Sequence, residues 1–528
     1  MHHPPEVLCQ IFHYAVGDSG IRILFPILHV CYQWRRSALG DSSLWTTIYL
    51  SNIAAPPLLD MILTYAGKRL LRVHVDDPNV NREAKLWNLV DKIEELDCSY
   101  ATYHVSPFLS SLGPAPNLKI LRLRDDDPDP ADDGHGQQQK LPELFQGCLP
   151  SLRELHLAIA VTWPTGLFKS LRSFELVLNP DHPFCSTLVL DVLRESPLLE
   201  NLHLVCSCQL TNDEPPPVVL SSLKKCALVG NTTLSLIWYM DIPPSTDVFL
   251  STPPILRDET VVYRFENFCL APSFHVLDEV HTLSFAIRFD TINFHAQNES
   301  GGALNVQVHY YKHALVGLTI LTLLFKDLFC GFPSKFQCTM VLSLHIEPGA
   351  SRNDVESVFC ATMFSRFIHS TLFLERIQLY GVPAKALYAH LGYLHSNIYI
   401  LIPFAYLQRV YIETTPLSSP KSLLGDLDVV LRKRNEVGVA LQFVDVKVKC
   451  ERLIPMAEHS AFLTAWKDLV GEDVKVEYFR KKVEKLPRRG PPLTYSGILI
   501  HDSESEDEVE GGEADAVESG DCDSEWES

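Results

Sequence analysis

The feature that most restricts how this 528-residue chain can fold is a recurring L-x-x-L-x-L pattern. Five copies are clear: Leu118-Leu121-Leu123, Leu152-Leu155-Leu157, Leu171-Phe174-Leu176, Leu199-Leu202-Leu204 and Leu223-Cys226-Leu228. Four weaker copies follow at Val280-Leu283-Phe285, Leu374-Ile377-Leu379, Leu407-Val410-Ile412 and Leu441-Val444-Val446. Alternation within each copy predicts a short strand whose second and third anchors share one face. Pro or Ser just upstream, as in Pro116-Asn117, Pro150-Ser151, Pro197-Leu198 and Ser221-Ser222, ends whatever precedes the strand. One such unit cannot bury its apolar face alone, so the units must stack. Spacings of 34, 19, 28 and 24 between the first five anchors straddle the repeat length of about 20–29 residues. The competing reading is an ordinary α/β domain whose strands happen to follow turns.

The first fifty residues have a different grammar. Pro4 to Gly17 reads as a helix, with proline where a missing N–H costs nothing and glycine at the stop. Val7, Leu8, Ile11, Phe12 and Ala15 form one apolar stripe on it. A second helix is predicted from Phe25 to Leu39, closed by Gly40, and a third after Asp41 as N-cap, carrying Leu44 and Trp45. Three short helices with two tryptophans are too small to stand alone. They need the rest of the chain or a partner.

In this stretch Pro4-Pro5-Glu6-Val7-Leu8, Ile11-Phe12, Val30-Cys31, Trp34-Arg35-Arg36, Ala38-Leu39 and Leu44-Trp45 occur in an order that resembles an F-box, in the version common in large fungal families. His3 stands where that family usually has leucine. The later array resembles leucine-rich repeats in the irregular form found behind F-boxes. The asparagine that normally follows the strand is mostly missing, with Asn231 and Cys206 as stand-ins. The resemblance implies an α/β fold: a small helical module at 1–50, a helix-and-strand connector at 51–115 and an irregular repeat solenoid at 116–478. The stretch 231–337 fits worst, with strand-like runs at Thr260–Phe265 and Val306–Tyr311, and reads as an insertion or as degenerate repeats. Within the connector, helices are expected over Pro57–Tyr65 and Asn81–Leu96, with a strand over Leu70–Val75 between them.

Charge and cysteine usage exclude several functions. Thirteen Asp and Glu with no Lys or Arg lie in residues 501–528, so the formal charge of −20 leaves only −7 for the body. That body lacks the basic excess that nucleic-acid binding requires. Fourteen cysteines without a C-x-x-C point to free thiols in a reducing compartment, not to a zinc or disulfide framework. No signal sequence is apparent, and the longest uncharged apolar run, Ala314–Phe325, is too short for a bilayer. A cytoplasmic or nuclear protein without membrane contact is expected, where the sequons at Asn231 and Asn298 carry no weight. Asp125–Lys140 reads as a solvated loop, and Asp125, Asp126, Asp127 and His135 in it lack the geometry of a metal site. Residues 479–528, basic and then acidic, have the composition of a disordered tail.

No phosphate loop, H-E-x-x-H, G-x-S-x-G or spaced Cys/His pair is present, so no enzyme and no cofactor is expected. The resemblance implies instead an adaptor that docks a Skp-type partner, and through it a cullin ligase core, while the repeats hold an unknown protein substrate. Adaptor contacts would come from Pro4, Pro5, Leu8, Ile11 and Phe12, with Val30, Trp34 and Trp45 in contact or behind. Substrate contacts would come from the residues between the strand leucines: Arg122, Arg124, His156, Glu175, His203, Gln378 and Tyr411. The alternative is a repeat scaffold without a ligase, its helical N-terminus a cap on the first repeat.

Overall fold

The computed structural model describes residues 4–17, 21–50, 56–75, 89–99, 112–124, 139–140, 144–159, 161–164, 166–178, 183–209, 216–230, 233–251, 275–288, 291–309, 339–346, 373–381, 406–413, 420–450, 456–470 and 473–480. Within these, a helical N-terminal region feeds a mixed α/β region organised on one sheet of seventeen strands.

Helix α1 spans Pro5–Gly17, α2 Leu24–Val30 and α3 Tyr32–Gly40, followed by a 3-10 turn at Ser42–Trp45. The single helix expected from Phe25 to Leu39 is therefore two. Cys31 is fully extended between them and its thiol accepts the Trp34 N–H at 3.5 Å, capping α3. The third predicted helix is only that 3-10 turn, although Asp41 caps it as expected, accepting the Ser43 N–H at 3.0 Å. Leu8, Phe12 and Val16 of α1 point inward at helical spacing, and Trp34 meets Phe12 edge-on at 5.3 Å between ring centroids. Trp45 is wholly buried, its indole N–H donating to the Ala38 carbonyl at 2.8 Å and its ring lying against Tyr65 of α4 (Pro56–Ala66).

The strands are β1 Thr47–Tyr49, β2 Leu71–Val75, β3 Ile93–Ser99, β4 Ile120–Arg124, β5 Glu154–Ala158, β6 Ser173–Val177, β7 Asn201–Val205, β8 Lys225–Val229 and β9 Asp247–Ser251. After them come β10 Val280–Ile287, β11 Thr291–Asn298, β12 Ala303–His309, β13 Val341–Ile346, β14 Arg376–Tyr380, β15 Arg409–Glu413, β16 Phe443–Cys450 and β17 Val474–Arg480. From β1 to β9 each strand pairs parallel with the next in chain order. The same holds from β13 to β17. Strand β1 belongs to the helical module and opens the sheet.

Between these halves the order reverses. β12 lies beside β9, β11 runs antiparallel in the middle, and β10 pairs parallel with β13. Only β11 opposes the direction of the other strands. This meander at 280–309 falls within the stretch 231–337 that fits the repeat pattern worst, whereas β8 and β9 carry the parallel series through Ser251. Asn298, buried at the turn into β12, donates to the Pro244 carbonyl at 2.7 Å and accepts the Gly302 N–H at 2.9 Å. Any side chain at Gly302 would collide with that same carbonyl. The run Thr260–Phe265 lies outside the described residues, as do 81–88 of the expected Asn81–Leu96 helix. Ile93 and Leu96 of that expected helix lie on β3 instead. Their spacing repeats the anchor pattern, and burial on one sheet face wins over helical periodicity.

Every anchor side chain of the nine copies is buried. Each such burial stabilises by roughly 1.5–3 kcal/mol, so the sheet's closed face carries most of the cohesion. The backbone repeats too. The carbonyl just before one strand accepts two successive N–H groups of the next unit: Lys119 from Arg153 and Glu154, Arg153 from Arg172 and Ser173, Arg172 from Glu200 and Asn201. The same fork recurs at Met340, Glu375 and Gln408. At the start of β9 and β13, Thr246 and Thr339 sit buried and donate to the carbonyls of Leu223 and Val280, Thr339 standing at the first-anchor position of its strand.

Candidate functional site

Two surfaces carry the residues expected to make contacts. The first is on the N-terminal helices. Because Leu8, Phe12 and Val16 take one side of α1, the adjacent positions turn outward: Val7 is 41% exposed, Ile11 48% and Tyr14 89%. Val30 and Tyr32, flanking the extended Cys31, are also exposed. Pro4, Pro5, Ile11 and Val30, expected as contacts, are accessible, whereas Leu8, Phe12 and Trp45 are core and Trp34 is half-buried behind them. The expectation of contacts from Leu8 and Phe12 is thereby corrected, while Trp34 and Trp45 lie behind, the second of the two positions expected for them. The helical stripe contained both an inward and an outward row, and periodicity alone does not say which is which. Val7 is placed on the stripe but not among the expected contacts, and Tyr14 and Tyr32 are not singled out in the sequence.

The second surface is the sheet's open face. Strand register places residues from separate units in one continuous row: Tyr49, His74, Asp97, Arg122, His156, Glu175, His203, Ala227 and Phe249. The row continues as Asn305, His295, Ser284, Ser343, Gln378, Tyr411, Asp445 and Lys475. Six of the seven expected substrate contacts lie in this row. Arg124 lies one pleat further along β4.

In β2 to β7 the charges of this face are spent on one another. Glu95 holds Arg72 at 3.5 Å and also Arg122. Asp97 holds His74 at 3.4 Å and Arg124 at 3.2 Å. Glu175 lies between His156 at 2.5 Å and His203 at 3.0 Å. Just outside the row, Glu200 holds Arg172 and Lys224. Each of these four carboxylates thus bridges basic side chains from the units on either side. Hydrogen bonds from His156 and then His203 hold the Glu175 carboxyl well below the usual glutamate range. For Asp97, burial opposes ionisation, but the His74 hydrogen bond and the Arg124 charge outweigh it and its pKa is lowered.

In β14 to β17 the face changes character. A cleft of about 400 Å³ is lined by Arg376, Gln378, Arg409, Tyr411, Gln442 and Asp473, among others. Arg376 and Arg409 are direct register partners on adjacent strands. Among the described residues neither guanidinium has a carboxylate within ion-pair distance. Tyr380 and Tyr411 neighbour each other at 5.2 Å, and the Tyr411 hydroxyl donates to Glu413 at 3.0 Å. Burial, and then Glu413 as acceptor, pushes the Tyr411 phenol up, so it stays protonated. Gln378 is taken by Ser343 at 2.7 Å. Gln378 and Tyr411 are expected contacts from the sequence, whereas Arg376 and Arg409, at the position before the second anchor on their strands, are not.

Among the described residues no group of three or more His, Cys, Asp or Glu is placed to hold a metal ion, and no helix is long and apolar enough to cross a membrane. Asp125, Asp126, Asp127 and His135 lie outside the described residues. Compared with known families, residues 4–51 match the F-box-like family, a span that covers α1, α2, α3 and strand β1. F-box domains generally bind Skp-type adaptors, and the match suggests a ubiquitin-ligase adaptor role in general. No curated protein matches the chain.

Proposed function

We propose that this chain is the substrate-recognition subunit of a Skp-cullin-F-box type ubiquitin ligase. The F-box-like module docks a Skp-type adaptor, which bridges to the cullin core, and the open face of the sheet holds a protein substrate. In this reading the α/β body is an irregular leucine-rich-repeat solenoid of the kind that accompanies fungal F-boxes. The protein works in the cytoplasm or nucleus and performs no chemistry of its own.

The observation that carries the reading is the outward row on α1. Val7, Ile11 and Tyr14, with Val30 and Tyr32 nearby, form an exposed apolar surface on a family-matched module whose inner row already completes its core. The alternative, a scaffold whose helices only cap the first repeat, is favoured by one feature: β1 of the module pairs with β2 and so seals that edge of the sheet. A cap, however, has no use for apolar side chains on its far side. The test is binding of the full chain to the host's Skp-type adaptor, wild type against Val7→Asp/Ile11→Asp. Binding by wild type and a loss of more than about tenfold in the variant support the ligase reading. A folded full chain that ignores the adaptor leaves the scaffold standing.

A further inference from the structure

We propose that the Arg376–Arg409 cleft receives a carboxylate side chain, Asp or Glu, from an acidic segment of the bound protein. This rests on the receptor reading above and names the chemistry of its substrate. In four places across β2 to β7 and the turns before those strands, a single carboxylate bridges two basic side chains, Arg, Lys or His: Arg72–Glu95–Arg122, His74–Asp97–Arg124, His156–Glu175–His203 and Arg172–Glu200–Lys224. The fold thus has a standing solution for cations on neighbouring strands.

At β14 and β15 that solution is missing. Arg376 and Arg409 sit side by side, about 4.8 Å apart at the backbone, with Val341 before them and Phe443 after them in the same register row. No carboxylate on this row completes the pair. Asp473 lines the same cleft but forms no ion pair with either arginine among the described residues. Two adjacent guanidinium groups repel, and each offers a fork of donors shaped for a carboxylate. What the fold leaves out, a ligand supplies.

The charged residues that line the cleft, Arg376, Arg409 and Asp473, sum to a single positive charge, which one carboxylate balances. Around it Glu413, Asp445 and Glu477 face Lys447 and Lys475 in register, so these neighbours largely offset one another. Beside the arginines, exposed Phe373 and Tyr406 pair at 5.4 Å three residues before Arg376 and Arg409 respectively. They give an apolar neighbour of the acidic side chain a place to rest.

The test uses the full chain with fluorescent degenerate peptides carrying a central pair of Glu, phosphoserine, Gln or Lys, with adaptor binding scored on the same samples. The Glu library is expected to bind at least about tenfold more tightly than the Gln library, to weaken as salt rises, and to lose its advantage in Arg376→Ala/Arg409→Ala. Arg376→Glu/Arg409→Glu should transfer the preference to the Lys library. Should a double variant fail to fold, the single Arg409→Gln on an exposed side chain must still reduce the Glu preference. Equal binding of Glu and Gln libraries, a Glu preference that survives the substitutions, or a preference for phosphoserine over Glu overturns the proposal. Adaptor binding without any Glu preference sinks this inference alone. Glu preference without adaptor binding sinks the ligase reading and leaves an acidic-segment receptor.

Discussion

The two ends of the open face are made from the same strand pattern and treat charge in opposite ways. From β2 to β7 the carboxylates Glu95, Asp97 and Glu175 each hold Arg or His side chains from both flanking strands and so tie neighbouring units in register. From β14 to β15 two arginines stand in register with no carboxylate between or beside them in their row. On our proposal the first arrangement serves the fold and the second a ligand. An isolated exposed ion pair contributes little, typically below about 1 kcal/mol, but a half-buried carboxylate shared by two cations contributes more and leaves both stranded when removed.

The strongest way to break this comparison is to reverse charge inside a clamp. Glu95→Lys would set a third cation between Arg72 and Arg122 on a largely buried site, and a loss of about 2–4 kcal/mol is expected in urea unfolding. A change below about 0.5 kcal/mol would mean the clamps are ornamental. Glu175→Gln is gentler and sharpens the point through pH. The folded Glu175 pKa is depressed below its ordinary value of 4.5, so its stabilisation is complete above that value and is lost as pH falls below it. Wild type is therefore expected to lose stability on acidification below about pH 4.5 more steeply than Glu175→Gln, whose acid limb should be flatter. At neutral pH the variant should be about 1–2 kcal/mol less stable. Parallel acid limbs would show that the two histidines do not depend on this carboxylate.

How much of this could be read in the sequence follows from what sets each feature. The anchors were legible because L-x-x-L-x-L is a local pattern, and all nine copies lie buried on or just before strands. The reversed order of β10, β11 and β12 was not, since inward and outward alternation reads the same whichever way a strand runs. On α1 both apolar rows were visible, but only packing against Trp34 and the rest of the module assigns Leu8 and Phe12 to the core and Val7 and Ile11 to the surface. The clamps and the cleft depend on register. His156, Glu175 and His203 were each singled out, yet their union across three strands exists only once residues 19 and 28 apart are brought side by side. Arg376 and Arg409, 33 positions apart, gave no local sign of being neighbours.

The central claim is that Arg376 and Arg409 are held for a ligand and not for the fold, and the most direct measurement is urea unfolding of Arg376→Gln/Arg409→Gln beside wild type at neutral pH. The account predicts equal stability within about 0.5 kcal/mol, or a slight gain from relieved repulsion. A loss as large as that of Glu95→Lys would show that these arginines are structural, and would contradict it.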